Sequence, residues 1–360
     1  MKRLILFMFI PVMILLTGYV NAAENAQPPV RNVILMIGDG MGVNQMYAAY
    51  TANHGSLYMI ERAQYVGLVK THSADRYNAD SAAAGTAIAC GEKTNNGMLG
   101  VLPDGTPLKS MLDYAAENGL STGIVATCEL THATPAAFVA KVNSRGSSED
   151  IALAFANAPI NISIGGGRKF FEDREDGQNL TEQMRAKGFR VVYTMDEVNA
   201  TQEGNLLALL AEVALERYPA RGNMLPEATA AAINILNQNP KGFFLMVEGS
   251  QIDWAAHENN QEEVVLETLD FDRAVKVALD FAERDGNTLV IITGDHETGG
   301  MSINNGNFQN GSLTTVFTST GHTGVPLPVY TFGRGAEKFT GVFWNTEFLP
   351  RVLELWGISR

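Results

Sequence analysis

The chain has 360 residues, enough for one large α/β domain or two small ones. With 46% hydrophobic residues and 35 glycines, it has the composition of a packed globular protein, which excludes a disordered chain. A formal net charge of −13 repels the phosphate backbone of nucleic acid and argues against sequence-specific DNA binding.

At the start of the chain, Lys2 and Arg3 form a basic cluster and Leu4 to Leu16 is apolar. Small residues follow at Val20-Asn21-Ala22-Ala23. This pattern predicts a secretory signal over residues 1–23, cleaved after Ala22 or Ala23. A single periplasmic or secreted domain then spans 24–360. The apolar run is short for a membrane span, and no later stretch is long and apolar enough to cross a bilayer. Cys90 and Cys128 are the two cysteines of the chain. A disulfide formed after export and a pair of buried thiols are both open, because the sequence does not give their separation.

Apolar, β-rich runs predict strands over Asn32–Ile37, Thr122–Thr127, Asn161–Ile164, Arg190–Tyr193, Phe243–Val247 and Thr288–Thr293. Helical patterns cover Val43–Thr51, Leu108–Asn118, Pro135–Val142, Thr181–Lys187, Leu225–Asn237 and Gln261–Arg284. Strands that are apolar throughout and separated by helices imply an α/β fold, with a mostly parallel central sheet and helices on both faces. Such sheets bind ligands at the carboxyl ends of their strands. Asp39, Thr127–Thr134, Glu248 and Asp295 all fall just there. The polar stretch Phe170–Asn179 predicts a surface loop. The Asn-, Gly- and Thr-rich stretch Asn304–Thr318 predicts a long loop before His322.

Four of the six histidines sit in motifs that also carry carboxylates or other oxygen ligands. Asp253 and His257 are four residues apart, which puts both on one helix face. That pair alone is equally consistent with a solvated helix surface. Asp295 and His296 are adjacent at a strand end, where neighbouring side chains diverge. Only a loop or bulge would let both reach one metal. His322 lies in TGHTG and His132 in ELTHATP. Glu248 follows an apolar strand, where an unpaired carboxylate is costly. Mixed imidazole and carboxylate donors suit zinc or magnesium. Ser81 precedes Ala82 to Ala84 and Gly85. It reads either as a nucleophile at a helix N-terminus or as an ordinary helix cap. Taken together, the residues suggest a metal-dependent hydrolase.

The stretches NVILMIGDGMG, ADSAAAGTAIACG, CELTHATPAAFVAKVNSR, IGGGRKFF, GFFLMVEGSQID with His257, NTLVIITGDHETGG and TGHTG closely resemble the alkaline phosphatase family. They appear in the family's order and cover most of residues 31–330. The resemblance implies an alkaline-phosphatase-like α/β fold and hydrolysis of phosphate monoesters through a phosphoserine at Ser81. It implies two zinc ions and one magnesium ion per chain, and a homodimer. Asp253, His257 and His322 match the ligands of the first zinc. Asp39, Asp295 and His296 match those of the second. Asp39, Thr134 and Glu248 match the magnesium ligands, and Arg145 matches the arginine that holds phosphate. His132 and Trp254 depart from the best-known enteric bacterial member, which has aspartate and lysine there. In this the chain resembles animal enzymes and short cold-active bacterial ones, and weaker magnesium retention and altered phosphate release are implied. A phosphodiesterase or sulfatase on the same fold and a non-catalytic phosphate-binding protein are the alternatives.

Overall fold

The apolar run Asn32–Gly38 forms a strand buried along its whole length, β1. It lies at the middle of a sheet in a computed structural model that describes residues 30–360. The expected signal lies outside the described residues. The remaining strands, in chain order, are β2 (Tyr65–Lys70), β3 (Ser121–Glu129), β4 (Ile162–Gly166), β5 (Phe189–Val192), β6 (Asn205–Leu209) and β7 (Phe243–Gly249). They continue with β8 (Thr288–Gly294), β9 (Glu297–Thr298), β10 (Met301–Asn307), β11 (Ser312–Phe317), β12 (His322–Thr323), β13 (Leu327–Gly333) and β14 (Gly341–Trp344). Ten of them build one sheet in the order β14-β2-β13-β8-β1-β7-β3-β4-β6-β5. Every pairing in it is parallel except those of β13, which runs antiparallel to β2 and β8.

Both faces of this sheet are covered. Along β1, Val33, Leu35 and Ile37 point into one apolar cluster, and Ile34 and Met36 into the other. β7 and β8 alternate in the same way, as a strand's two-residue period requires. Helices Ser81–Cys90, Met111–Glu117, Ser148–Asn157 and Phe348–Trp356 cover the first face. Helices Val43–Ala52, Met224–Leu236 and Gln261–Asp285 cover the second. Among the described residues no helix is long and apolar enough to cross a membrane.

Several expectations need correction. Asn304–Thr318 is not a loop: β10 and β11 pair there as an antiparallel hairpin. Its outer strand alternates exposed and half-buried residues, so it lacks the continuous apolar signal of the core strands. The helix expected over Pro135–Val142 sits earlier and is shorter, Ala133–Ala136. The helix expected from Leu108 begins at Met111, because Ser110 accepts the Asp113 N–H and caps it. The expected loop Phe170–Asn179 begins inside the helix Arg168–Glu172, and its Arg174 is buried against Asp176. Strands β2, β6, β13 and β14 were not expected at all. Cys90 and Cys128 are both buried free thiols.

Candidate active site

The expected site residues converge at the carboxyl edge of the sheet. Asp39 follows β1, Glu248 is the penultimate residue of β7, and Asp295 and His296 turn off the end of β8. Asp253 and His257 lie on the helix Gln251–His257 just after β7. Helix Ser81–Cys90 contributes Ser81 as its first residue. Its cap is Asp80, whose carboxylate accepts the Ala83 N–H at 2.9 Å, so Ser81 is not the cap and its hydroxyl is free for the site. All ten residues of this helix are buried. Small side chains make that approach feasible: a Cβ on Gly85 would stand 3.0 Å from the Cβ of Ala137.

Two groups of metal-type donors flank Ser81. In the first, His257 Nε2 lies 3.1 Å from His322 Nε2 and 3.3 Å from Asp253 Oδ1. In the second, His296 Nε2 lies 3.4 Å from Asp39 Oδ1 and 3.2 Å from Asp295 Oδ2. The turn after β8 thus lets the adjacent Asp295 and His296 reach one point. Ser81 Oγ sits 3.1 Å from His296 Nε2 and 3.5 Å from Asp39 Oδ2.

The hydrogen-bond network assigns the ring protons. His257 Nδ1 faces the carbonyl oxygen of Thr320 at 2.5 Å, and His322 Nδ1 that of Ala79 at 2.8 Å. A carbonyl only accepts, so each Nδ1 carries hydrogen and each Nε2 is turned inward, where a proton or a cation can take its lone pair. Thr298 Oγ1 donates to Asp253 Oδ1 and accepts from His296 Nδ1. His296 therefore also turns its Nε2 toward two carboxylates. Lone pairs and carboxylate oxygens converging at 3 to 4 Å are repulsive unless a proton or cation lies among them.

The charges tell the same story. Burial, with Asp295, Asp253 and Glu248 nearby, pushes the Asp39 carboxyl well above its ordinary range. Burial raises Glu248 to about 7. Burial also pushes Asp253 upward, but the His257 hydrogen bond and the charges of His296 and His257 outweigh it and hold Asp253 below the carboxylate range. The same hydrogen bond raises His257 to about 9. Asp39 Oδ1, Thr134 Oγ1, Glu248 Oε1 and Asp295 Oδ2 are buried and accept no hydrogen bond. Buried carboxylate oxygens left this way cost several kcal/mol, roughly, unless an ion satisfies them. The donor set therefore fits divalent cations.

Arg145 faces this edge from a loop. It donates to Asp80 Oδ2 at 3.1 Å and to His132 Nε2 at 3.3 Å. Burial and the Arg145 charge hold His132 down at about 4, so its ring is neutral. Trp254 packs edge-on against that ring at 5.8 Å. Three supporting residues were not anticipated from sequence. Asp80 anchors Arg145, and a polar residue just before a helix was its visible signal. Thr298 ties the two donor groups together. Glu297, buried, binds Gln45, Met301 and Thr323, which fixes β9 against β12. Nothing in the sequence separates Thr298 and Glu297 from ordinary loop residues.

Comparisons of the sequence and of the fold with known proteins give the family. The alkaline phosphatase family model matches residues 30–315. Alkaline phosphatase 4 of Bacillus subtilis is 36% identical over 92% of this chain and 90% of its own length. The solved alkaline phosphatase of the Antarctic bacterium TAB5 superimposes with a TM-score of 0.87 at 36% identity, over 93% of this chain and all of that one. A histidine-to-aspartate mutant of that enzyme, with magnesium bound in its M3 site, gives 0.86 at 35% identity over 92% and 99% of the two chains. The chain belongs to the alkaline phosphatase family.

Proposed function

We propose that this protein hydrolyses phosphate monoesters to an alcohol and inorganic phosphate, with Ser81 as nucleophile. It works in the periplasm or outside the cell after loss of residues 1–23. One observation carries the reading. A serine hydroxyl at a helix N-terminus stands 3.1 Å from a histidine nitrogen of one buried donor group, with a second donor group beside it. Asp253, His257 and His322 would hold one zinc ion, Asp39, Asp295 and His296 a second, and Asp39, Thr134 and Glu248 a magnesium ion. Bound there, the ions supply positive charge that favours an ionised serine and offsets charge on the departing oxygen.

The chain's own groups do the rest. The free N–H groups of helix Ser81–Cys90 and its positive end favour a phosphate beside Ser81. Arg145 offers a planar pair of donors that matches two phosphate oxygens. Ser81 Oγ forms the new bond to phosphorus as the bond to the alcohol oxygen breaks. Water then cleaves the phosphoserine and returns Ser81. The test is p-nitrophenyl phosphate turnover at alkaline pH, with chelation and metal add-back, in wild type and Ser81→Ala. Activity should fall by several orders of magnitude in the variant, and a phosphoenzyme trapped at acid pH should vanish with it. Near-normal turnover by Ser81→Ala, with no trapped phosphoenzyme in wild type, overturns the reading.

A further inference from the structure

The segment that leads into helix Ser81–Cys90 carries an aromatic ring open to water. Tyr77 stands four residues before Ser81 and is 79% exposed, more than any other large apolar side chain among the described residues. Exposure does not leave it loose. Asn78 Nδ2 donates to the His322 carbonyl oxygen at 2.8 Å, and the Asn78 carbonyl accepts from Asn96 Nδ2 at 3.0 Å. His322 Nδ1 faces the Ala79 carbonyl oxygen at 2.8 Å. These bonds tie the backbone just after Tyr77 to the strand that carries His322. The ring itself lies on Gly324: a Cβ there would stand 2.2 Å from Tyr77 Cε1 and 2.6 Å from its Cδ1. Only a glycine lets the ring come so close.

The direction of displacement says which side of the site this is. Ser81 Oγ stands against the group of Asp39, Asp295 and His296, 3.1 Å from His296 Nε2. Displacement at phosphorus runs in line, so the departing alcohol lies across phosphorus from Ser81. That side belongs to the other donor group, Asp253, His257 and His322. The alcohol's substituent then leaves the site past the His322 segment, where Tyr77 stands. We propose that Tyr77 sets specificity: its ring is a platform for the leaving alcohol and favours phosphate monoesters whose alcohol carries an aromatic ring near the ester oxygen. Two rings gain from offset or edge contact beyond the area they bury. A ring already held on Gly324 gives up little freedom when the second ring arrives. The inference rests on the proposed function in taking a phosphate monoester to bind beside Ser81.

Esters that differ only in the ring test it on the full-length protein: benzyl, phenethyl and phenylpropyl phosphate against methyl, ethyl and propyl phosphate. For at least one pair, wild type should show a kcat/KM higher on the ring-bearing ester by on the order of fivefold, carried by KM. Tyr77→Ala should lose this preference and Tyr77→Phe should keep it. Gly324→Ala should lose it too, because the new Cβ displaces the ring. Calorimetry with benzylphosphonate and methylphosphonate reads the same ratio without turnover. A preference absent from wild type, which needs no variant to fold, overturns the proposal. So does a preference that survives in Tyr77→Ala; if that variant's sedimentation shifts as well, the ring covers a second copy of the chain instead. Turnover of every ester with no ring preference sinks this inference alone. No turnover of any ester, with a phosphonate ratio that is present in wild type and lost in Tyr77→Ala, sinks the proposed function alone.

Discussion

Asp80 offers the sharpest test of how the site is held. One of its oxygens caps helix Ser81–Cys90 through the Ala83 N–H at 2.9 Å; the other accepts the Gly97 N–H at 2.9 Å and the Arg145 guanidinium at 3.1 Å. Loss of a cap costs about 1 kcal/mol. Loss of a backbone hydrogen bond to a charged acceptor costs about 2 kcal/mol. The ion pair is partly exposed, with side chains 32% and 19% accessible, and adds little. Asp80→Ala should therefore lose about 3 kcal/mol, or ~4 °C in Tm for a chain this long. Asp80→Asn keeps the capping oxygen but turns an amide toward two donors, so it should lose about 2 kcal/mol. Both variants remove one of the two anchors of Arg145. Freezing an arginine costs up to about 2 kcal/mol of rotamer freedom, and giving back half of that weakens phosphate binding ~fivefold. Thermal melts and inhibition of p-nitrophenyl phosphate turnover by inorganic phosphate measure both effects. An unchanged inhibition constant in Asp80→Asn would show that Asp80 does not position Arg145. An unchanged Tm in Asp80→Ala would sink the capping argument.

Three further outcomes are expected. Arg221 is buried against Glu267 and Asp270; Arg221→Ala leaves buried Glu267 without its cation, while Asp270 keeps Arg273, and should cost about 3 kcal/mol in denaturant unfolding, and a loss under about 1 kcal/mol would contradict this. Burial raises the Asp272 carboxyl to about 6, against the hydrogen bonds from Met59 and Tyr58. A raised acid gives stability that is full below its unfolded pKa of 3.8 and lost as pH climbs through about 6. The stability advantage of wild type over Asp272→Asn should thus shrink by roughly 3 kcal/mol between pH 4 and pH 8, whereas a pH-independent difference refutes it. Finally, a Cβ at Gly294 would stand 2.5 Å from the Met41 carbonyl oxygen, in the turn whose Gly40 N–H binds Asp295. Gly294→Ala should shift Asp39 and Asp295 and lower kcat/KM on the order of 100-fold, so wild-type kinetics would show that the turn adapts.

The sequence by itself determined the inner sheet and which end of it carries chemistry. β1, β3, β7 and β8 bury both faces, so their apolar runs are unbroken and easy to read. Asp39, Glu248 and Asp295 stand where those runs end. The order of the motifs was enough to name the family. β2 and the β10–β11 hairpin were illegible for the opposite reason. β2 buries only two of its six residues completely, and the outer strand of the β10–β11 hairpin none, so no continuous apolar pattern marks them. The relation between distant residues was left wholly to tertiary structure. His257 and His322 are 65 residues apart, and His322 reaches the site because β12 pairs with β9 beside His296. Nothing local in TGHTG encodes that pairing. The fate of the two thiols was decided the same way: β3 ends against β7, which places Cys128 against Glu248 and not against Cys90. Local propensity and burial are properties of a segment and survive in its sequence. The meeting of side chains across a sheet edge belongs to the packing of several segments at once, and no one of them carries it alone.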